Sequence, residues 1–202
     1  MDELTIEPLT PRTWDALAGL FSQGGDPKWC WCTFWRVPGS SWATTTPTKN
    51  RRMLRGLAES RGRVPGLVAL RDGEAVGWIS LGPREEFERL ARSRTIPQLP
   101  GNDVWSVVCF VVGRRARRAG VASALLKAAV DHARASGARV LEAYPVQTDG
   151  TRISSASAYT GTLGMFERAG FKIASETTSQ AGGGLPRVVV RRALRPRRAK
   201  GA

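Results

Sequence analysis

The sequence predicts an α/β protein, a mixed central sheet with helices on both faces. Three observations carry that expectation. Strand-length apolar runs alternate with helix-length amphipathic segments along the chain. Asp72-Gly73 separates two short apolar runs, the signature of a tight β-hairpin. Val104–Val112 is a long apolar strand that passes through a basic, glycine-containing turn into an alanine- and leucine-rich helix.

In order, Leu4–Pro8 reads as a short first strand and Arg12–Phe21 as a helix, with Thr10 or Thr13 available as its cap. A loop rich in Trp, Cys, Gly, Pro, Ser and Thr runs to about Pro47. Thr48–Ser60 follows as a basic helix with Met53, Leu54 and Leu57 on one face. Leu67–Arg71 and Ala75–Leu81 are the arms of the hairpin. Pro83–Arg94 reads as helical through its charges, and the Pro97/Pro100 segment ends it. After the strand Val104–Val112 comes a helix, Gly120–Ser136, stopped at Gly137. Arg139–Tyr144 is a further strand, ended by Pro145. A polar loop leads to a helix around Ser155–Ala169 closed at Gly170, and Phe171–Thr177 with Pro186–Leu194 forms a last hairpin.

A chain of 202 residues, 42% hydrophobic, can bury one good core, so residues 1–194 read as a single domain. No apolar run approaches the roughly 20 residues of a membrane span. The acidic start, MDELTIEPL, lacks a signal-peptide core, and the expected compartment is the cytoplasm. Three cysteines cannot all pair within one chain, and a disulfide framework is not expected. The formal net charge is +14. After Glu176 there is no acidic residue, while Arg187, Arg191, Arg192, Arg195, Arg197, Arg198 and Lys200 accumulate. Residues 195–202 read as a solvated, disordered basic tail, with weak contact to nucleic acid as the alternative.

The turn after the long strand carries Arg117-x-x-Gly120-x-Ala122, flanked by Arg114, Arg115 and Arg118. A helix start leaves unpaired backbone N–H groups converging on one point, and arginines around it make a polyphosphate site. Gly120 admits close approach of the backbone, and Ala122 keeps the first helical turn clear. A merely solvated turn is the competing reading.

This strand–turn–helix resembles the pyrophosphate-binding signature of the GNAT acetyltransferase superfamily. Met165-Phe166-Glu167-Arg168-Ala169-Gly170-Phe171 is similar to the aromatic-x-x-x-Gly-Phe ending of that superfamily's last helix. The resemblance covers about the second half of the chain. It implies a central strand that splays from its neighbour; the order of elements fits the family's with an added helix before that strand. It also implies acetyl-CoA as the acyl-donor cosubstrate without a metal, and homodimerisation is common in the family. Backbone groups of Cys109, Phe110, Val111 and Val112 should then pair with the pantetheine arm. Arg117, Arg118, Ala119, Gly120, Val121, Ala122 and Ser123 should hold the diphosphate, with Arg114 or Arg115 reaching other phosphates.

Acyl transfer to an amine requires loss of a proton from the amine, a polarised carbonyl and a stabilised leaving thiolate. The tyrosine that the family uses to protonate that thiolate falls at Phe166, which cannot donate. Tyr159, about two helical turns earlier, shares its face if the helix is continuous; it is the candidate acid, or else a packing residue. The family's base on the central strand falls near Ser106, which could act only through water. Glu142, between apolar neighbours on the next strand, is the candidate base or amine-binding group, against a structural carboxylate paired with arginine. Asp103 is a weaker candidate.

Trp29, Trp31, Trp35 and Trp42 lie where the family builds its acceptor site, within an aromatic segment at 28–47. They form either an aromatic, cation-binding wall or core packing. Cys30-x-Cys32 has no zinc-site spacing to Cys109 or His132, and His132 reads as a surface residue. The expected activity is acetyl-CoA-dependent N-acetylation of an amine, most simply of a small molecule or metabolite. The rivals are a GNAT enzyme acting on aminoacyl-tRNA or another nucleic-acid-bound amine, and a non-enzymatic acyl-CoA-binding module.

Overall fold

The computed structural model describes residues 3–194; the basic tail at 195–202 lies outside the described residues. Its centre is one seven-stranded sheet: β1 (Thr5–Pro8), β2 (Gly66–Arg71), β3 (Glu74–Pro83), β4 (Val104–Val112), β5 (Val140–Ala143), β6 (Lys172–Gln180) and β7 (Pro186–Ala193). The spatial order is β1-β2-β3-β4-β5-β7-β6. Every pairing is antiparallel except β4 with β5. The β2–β3 hairpin closes on Asp72 and Gly73, both with positive φ (51° and 79°), as a tight turn of this hand requires.

The sheet is covered on both faces. One face carries α1 (Trp14–Ser22), α2 (Asp26–Cys30) and α4 (Pro47–Glu59), packed through Leu17, Phe21, Trp31 and Leu54 onto Val68, Trp78 and Val108. The other face carries α6 (Val121–Ala135) and α7 (Leu163–Arg168). There Leu125, Leu126, Ala129 and Phe166 pack onto Leu67, Ile79, Val107 and Leu141. Among the described residues no helix is long and apolar enough to cross a membrane.

Several expected elements differ. Thr13 precedes α1 but does not cap it: its Oγ1 donates to Pro8 O (2.9 Å) and accepts from Thr10 N (3.0 Å). Thr46 caps α4 instead, accepting from Lys49 N (3.3 Å). The buried face of α4 is Asn50, Leu54 and Ala58, while Met53 is exposed. The loop to Pro47 contains α2 and a short α3 (Gly39–Trp42). The helix expected over Pro83–Arg94 is only a 3-10 turn, Arg84–Glu86, and a short α5 (Glu88–Ala91). Phe87, between them, is non-helical (φ −105°, ψ 76°) because its ring is fully buried, as is Leu90.

The helix expected over Ser155–Ala169 is also shorter: only Leu163–Arg168 is helical. Gly161 breaks it with φ 84°, and Val146 donates to the Gly161 carbonyl while accepting from Leu163 N. Tyr159 and Phe166 therefore do not share a helix face.

Candidate active site

Strand β4 builds the site through two irregularities. The first is a bulge: Ser80 pairs with Cys109 but Leu81 pairs with Val107, leaving Val108 as the extra residue. Val108 and Cys109 accordingly both pack on the α1/α2 face, whereas Val107 and Phe110 pack on the α6 face. The second is the splay. Pairing of β4 with β5 ends at Val107↔Ala143, and β4 continues to Val112 without that neighbour.

Alternation along β4 decides which backbone groups face the gap. Gly113 N donates to Val76 O on β3 (2.9 Å), so the peptide groups of Phe110 and Val112 point the other way, into the splay. Of the expected set Cys109–Val112, Cys109 and Val111 direct their backbone toward β3. Phe110 N is already engaged: it donates to Tyr159 O at 2.6 Å. The segment around Tyr159 is thus fastened beside the strand.

Beyond Gly113, a 3-10 turn (Arg114–Ala116) leads to Arg118 and Gly120, both left-handed (φ 62° and 77°), and Gly120 starts α6. The first bond of the helix runs from Ala124 N to Gly120 O (3.0 Å), so the N–H groups of Val121, Ala122 and Ser123 precede the ladder. A cavity of about 260 Å³ lies against them, lined by Val112, Ala116, Arg117, Arg118, Gly120, Val121, Ala122 and Ser123. Ala119 is not in that lining. Arg114, Arg115, Arg117 and Arg118 are exposed, and among the described residues none pairs with a carboxylate. Arg117 Nε donates to Val112 O (3.3 Å).

A larger cleft, about 1360 Å³, borders this cavity and shares Val112, Ala116 and Arg117 with it. Arg114 and Arg115 line it at one end. The aromatic segment and Tyr159 line the other. Trp29, Trp35 and Trp42 are in its wall, with Phe34, which the sequence reading did not single out. Trp42 sits edge-on to both Trp29 (5.0 Å) and Phe34 (5.1 Å). Trp31 is a correction: it is 5% exposed, stacked on Trp14 (5.7 Å) beneath Arg51, and belongs to the core. Tyr159 and Cys109 line the same cleft, and burial pushes the Tyr159 phenol up to about 12, so it stays protonated through the neutral range.

Glu142 and Ser106 are not in the cleft wall. Glu142 is 1% exposed; it accepts from Tyr144 Oη (2.6 Å) and Arg191 Nε (2.6 Å), with Arg84 Nη1 at 3.5 Å. Ser106 Oγ lies 3.0 Å from the same phenol. Arg191 and Arg84 also donate to the carbonyls of Leu99 and Pro100, so the cluster anchors the segment that enters β4. Asp103 pairs with Arg139 (3.2 Å) at the surface. Phe166 is fully buried between Phe110 and Phe171. His132 packs edge-on to Trp105 (5.9 Å), and burial lowers its pKa from the usual imidazole range.

Sequence spacing also missed the thiols. Cys30, Cys32 and Cys109 all line the cleft, and Cys32 Sγ lies 3.0 Å from Cys109 Sγ. Burial holds the Cys32 thiol well above its ordinary range, while the Cys32 thiol beside it draws Cys30 lower. No group of His, Cys, Asp or Glu among the described residues is arranged to hold a metal ion.

The splayed end of β4, the free amides at the start of α6 and the long cleft thus lie together. The chain matches the model of the Acetyltransferase (GNAT) family over residues 30–171 and belongs to that family. The whole fold is also similar to solved structures. A GNAT-family acetyltransferase from Streptococcus pneumoniae aligns at TM-score 0.56 and 20% identity, covering 96% of this chain and 100% of that one. An N-acetyltransferase from Staphylococcus aureus aligns at 0.58 and 15%, covering 96% and 99%. The ribosomal-protein-S18-alanine N-acetyltransferase of Escherichia coli aligns at 0.52 and 11%, covering 99% of each chain. No curated protein matches the chain.

Proposed function

We propose that this chain transfers an acetyl group from acetyl-CoA directly to the amine of a small molecule. The observation that supports this reading is the adjacency of two cavities along the end of β4 that lies beyond its pairing with β5: arginines and helix amides line one, and aromatic rings line the other. The residues fit the donor. Val121, Ala122 and Ser123 offer amides, Arg117 and Arg118 charge, and Arg114 and Arg115 reach further along the cleft. When bound, acetyl-CoA supplies a thioester carbonyl open to attack and a thiolate that can leave.

The chain's own residues then have distinct tasks. Trp29, Phe34 and Trp42 seat the body of the acceptor and exclude water from it. Asp26, also in the cleft wall, draws an ammonium toward that end. Tyr159 holds the proton needed by the departing thiolate. Glu142 serves to hold Arg191 and Arg84, and the acceptor amine gives its proton to water before attack.

The test is release of coenzyme A thiol from acetyl-CoA in the presence of separate pools of small amines, peptides and aminoacyl-tRNA. Release with the small-amine pool supports the reading. Release only with aminoacyl-tRNA moves the acceptor to a nucleic-acid-bound amine. Acetyl-CoA binding without release in any pool overturns the catalytic reading in favour of a binding module.

A further inference from the structure

Two backbone irregularities, remote in sequence, aim two thiols at one another. Trp31 and Cys32 are consecutive non-glycine residues in the left-handed region (φ 46° and 51°), a conformation held only when its surroundings enforce it. The enforcement is visible. Thr33 donates to the Cys30 carbonyl through both N (2.9 Å) and Oγ1 (2.8 Å), and Asn50 Nδ2 donates to Trp29 O (3.0 Å). This reversal buries Cys32 against β4. On β4, the bulge at Val108 puts Cys109 on the same face. The sulfurs meet at 3.0 Å, inside the contact expected of two unbonded thiols, and Cys109 forms part of the cleft wall.

We propose that Cys32 and Cys109 form a redox-active pair, a modification site for a two-electron oxidant of the peroxide class. A peroxide entering the cleft is attacked by the Cys109 sulfur. The O–O bond breaks, one oxygen stays on sulfur as a sulfenic acid, and the other leaves as water with the thiol proton. The Cys32 sulfur then displaces hydroxide from Cys109, forming the S–S bond, and the Cys32 proton leaves with that hydroxide as a second water. Two thiols are oxidised, one peroxide is reduced to two waters, and a thiol reductant reverses the change. The bond ties the segment carrying Trp31 and Trp35 to the central strand and removes both thiols from the cleft floor. Cys30, half-buried in the same wall, lies beside Cys32, but the sulfur that meets Cys109 is that of Cys32.

The test is peptide mapping of the folded protein with and without hydrogen peroxide, after alkylation of free thiols. Trypsin leaves Cys30 and Cys32 together between Lys28 and Arg36, so Cys30→Ser is mapped in parallel to isolate Cys32. The expected result is a reducible link between the Cys32 and Cys109 peptides within one chain, present in Cys30→Ser and absent from Cys32→Ser and Cys109→Ser. Oxidised wild-type protein should lose two titratable thiols and recover both with dithiothreitol. Three thiols remaining titratable after peroxide, a link that requires Cys30, or a link between chains would each overturn the proposal. Mapping of the wild-type chain keeps the test decisive if a substituted variant fails to fold.

Discussion

Tyr159 gives its backbone carbonyl to the Phe110 amide at 2.6 Å, fastening the loop that carries its phenol to the splayed edge of the central strand. The acid candidate is thereby held by main chain, not by a helix. Its ring, beneath the Arg187 guanidinium 5.1 Å away, can lose its hydroxyl without losing its position.

Tyr159→Phe should therefore lower kcat about tenfold or more while leaving the KM for acetyl-CoA nearly unchanged. The loss is smaller than for many general acids because a thiolate is a fair leaving group. Steady-state kinetics on both substrates would separate these effects.

The pH profile follows from the same phenol. A tyrosine pushed up to about 12 by burial is in its acid form over the working range and is lost only as pH approaches that value. With proton loss from the acceptor left to water, kcat/KM for the amine should rise through the acceptor's own pKa. It should show no falling limb below about pH 10. A limb falling near neutrality would point to another acid.

Arg117→Ala with Arg118→Ala should raise the KM for acetyl-CoA by about tenfold or more, since hydrogen bonds to charged groups contribute roughly 1.5–3 kcal/mol. The effect on kcat should be slight, because these side chains line the cavity at the start of α6, away from the aromatic residues. Titration calorimetry with coenzyme A would read the same change directly.

Glu142→Gln should destabilise the fold by about 3 kcal/mol, because Arg191 and Arg84 would be left beside a neutral amide in a buried site. Thermal melting measures this loss. Activity per folded molecule should stay within about threefold of wild type, whereas a catalytic base would cost far more.

The tryptophans should separate into two kinds. Trp31→Ala should cost about 3–5 kcal/mol of stability, since its ring is buried against Trp14 and Phe21. Trp29→Ala, at a ring 40% exposed on the cleft, should leave melting nearly unchanged and raise the acceptor KM. Parallel melts and acceptor titrations would show the split.

Much of this was legible in sequence because it depends on neighbours along the chain. The apolar run Val104–Val112, the glycine that starts α6 and the Asp72-Gly73 turn each carry their own local geometry. The residues around the start of α6 form one contiguous segment, so they could be named together. Where a local reading failed, distant packing had overruled it: Phe87 and Leu90 turn into the core and interrupt a charged helix, and Gly161 yields to the Val146 backbone.

The sequence by itself determined the order of the elements, the glycine turn that starts α6 and the likeness to an acetyltransferase, all written in short-range pattern. Only the tertiary structure decided which tryptophan is wall and which is core, that Glu142 is enclosed by arginines 84 and 191, and that Cys32 meets Cys109 across 77 residues. The physical reason is that these contacts depend on how sheet and loops close in space. A bulge of one residue in β4 or two left-handed residues before it can re-aim a side chain without leaving a periodic trace in the chain.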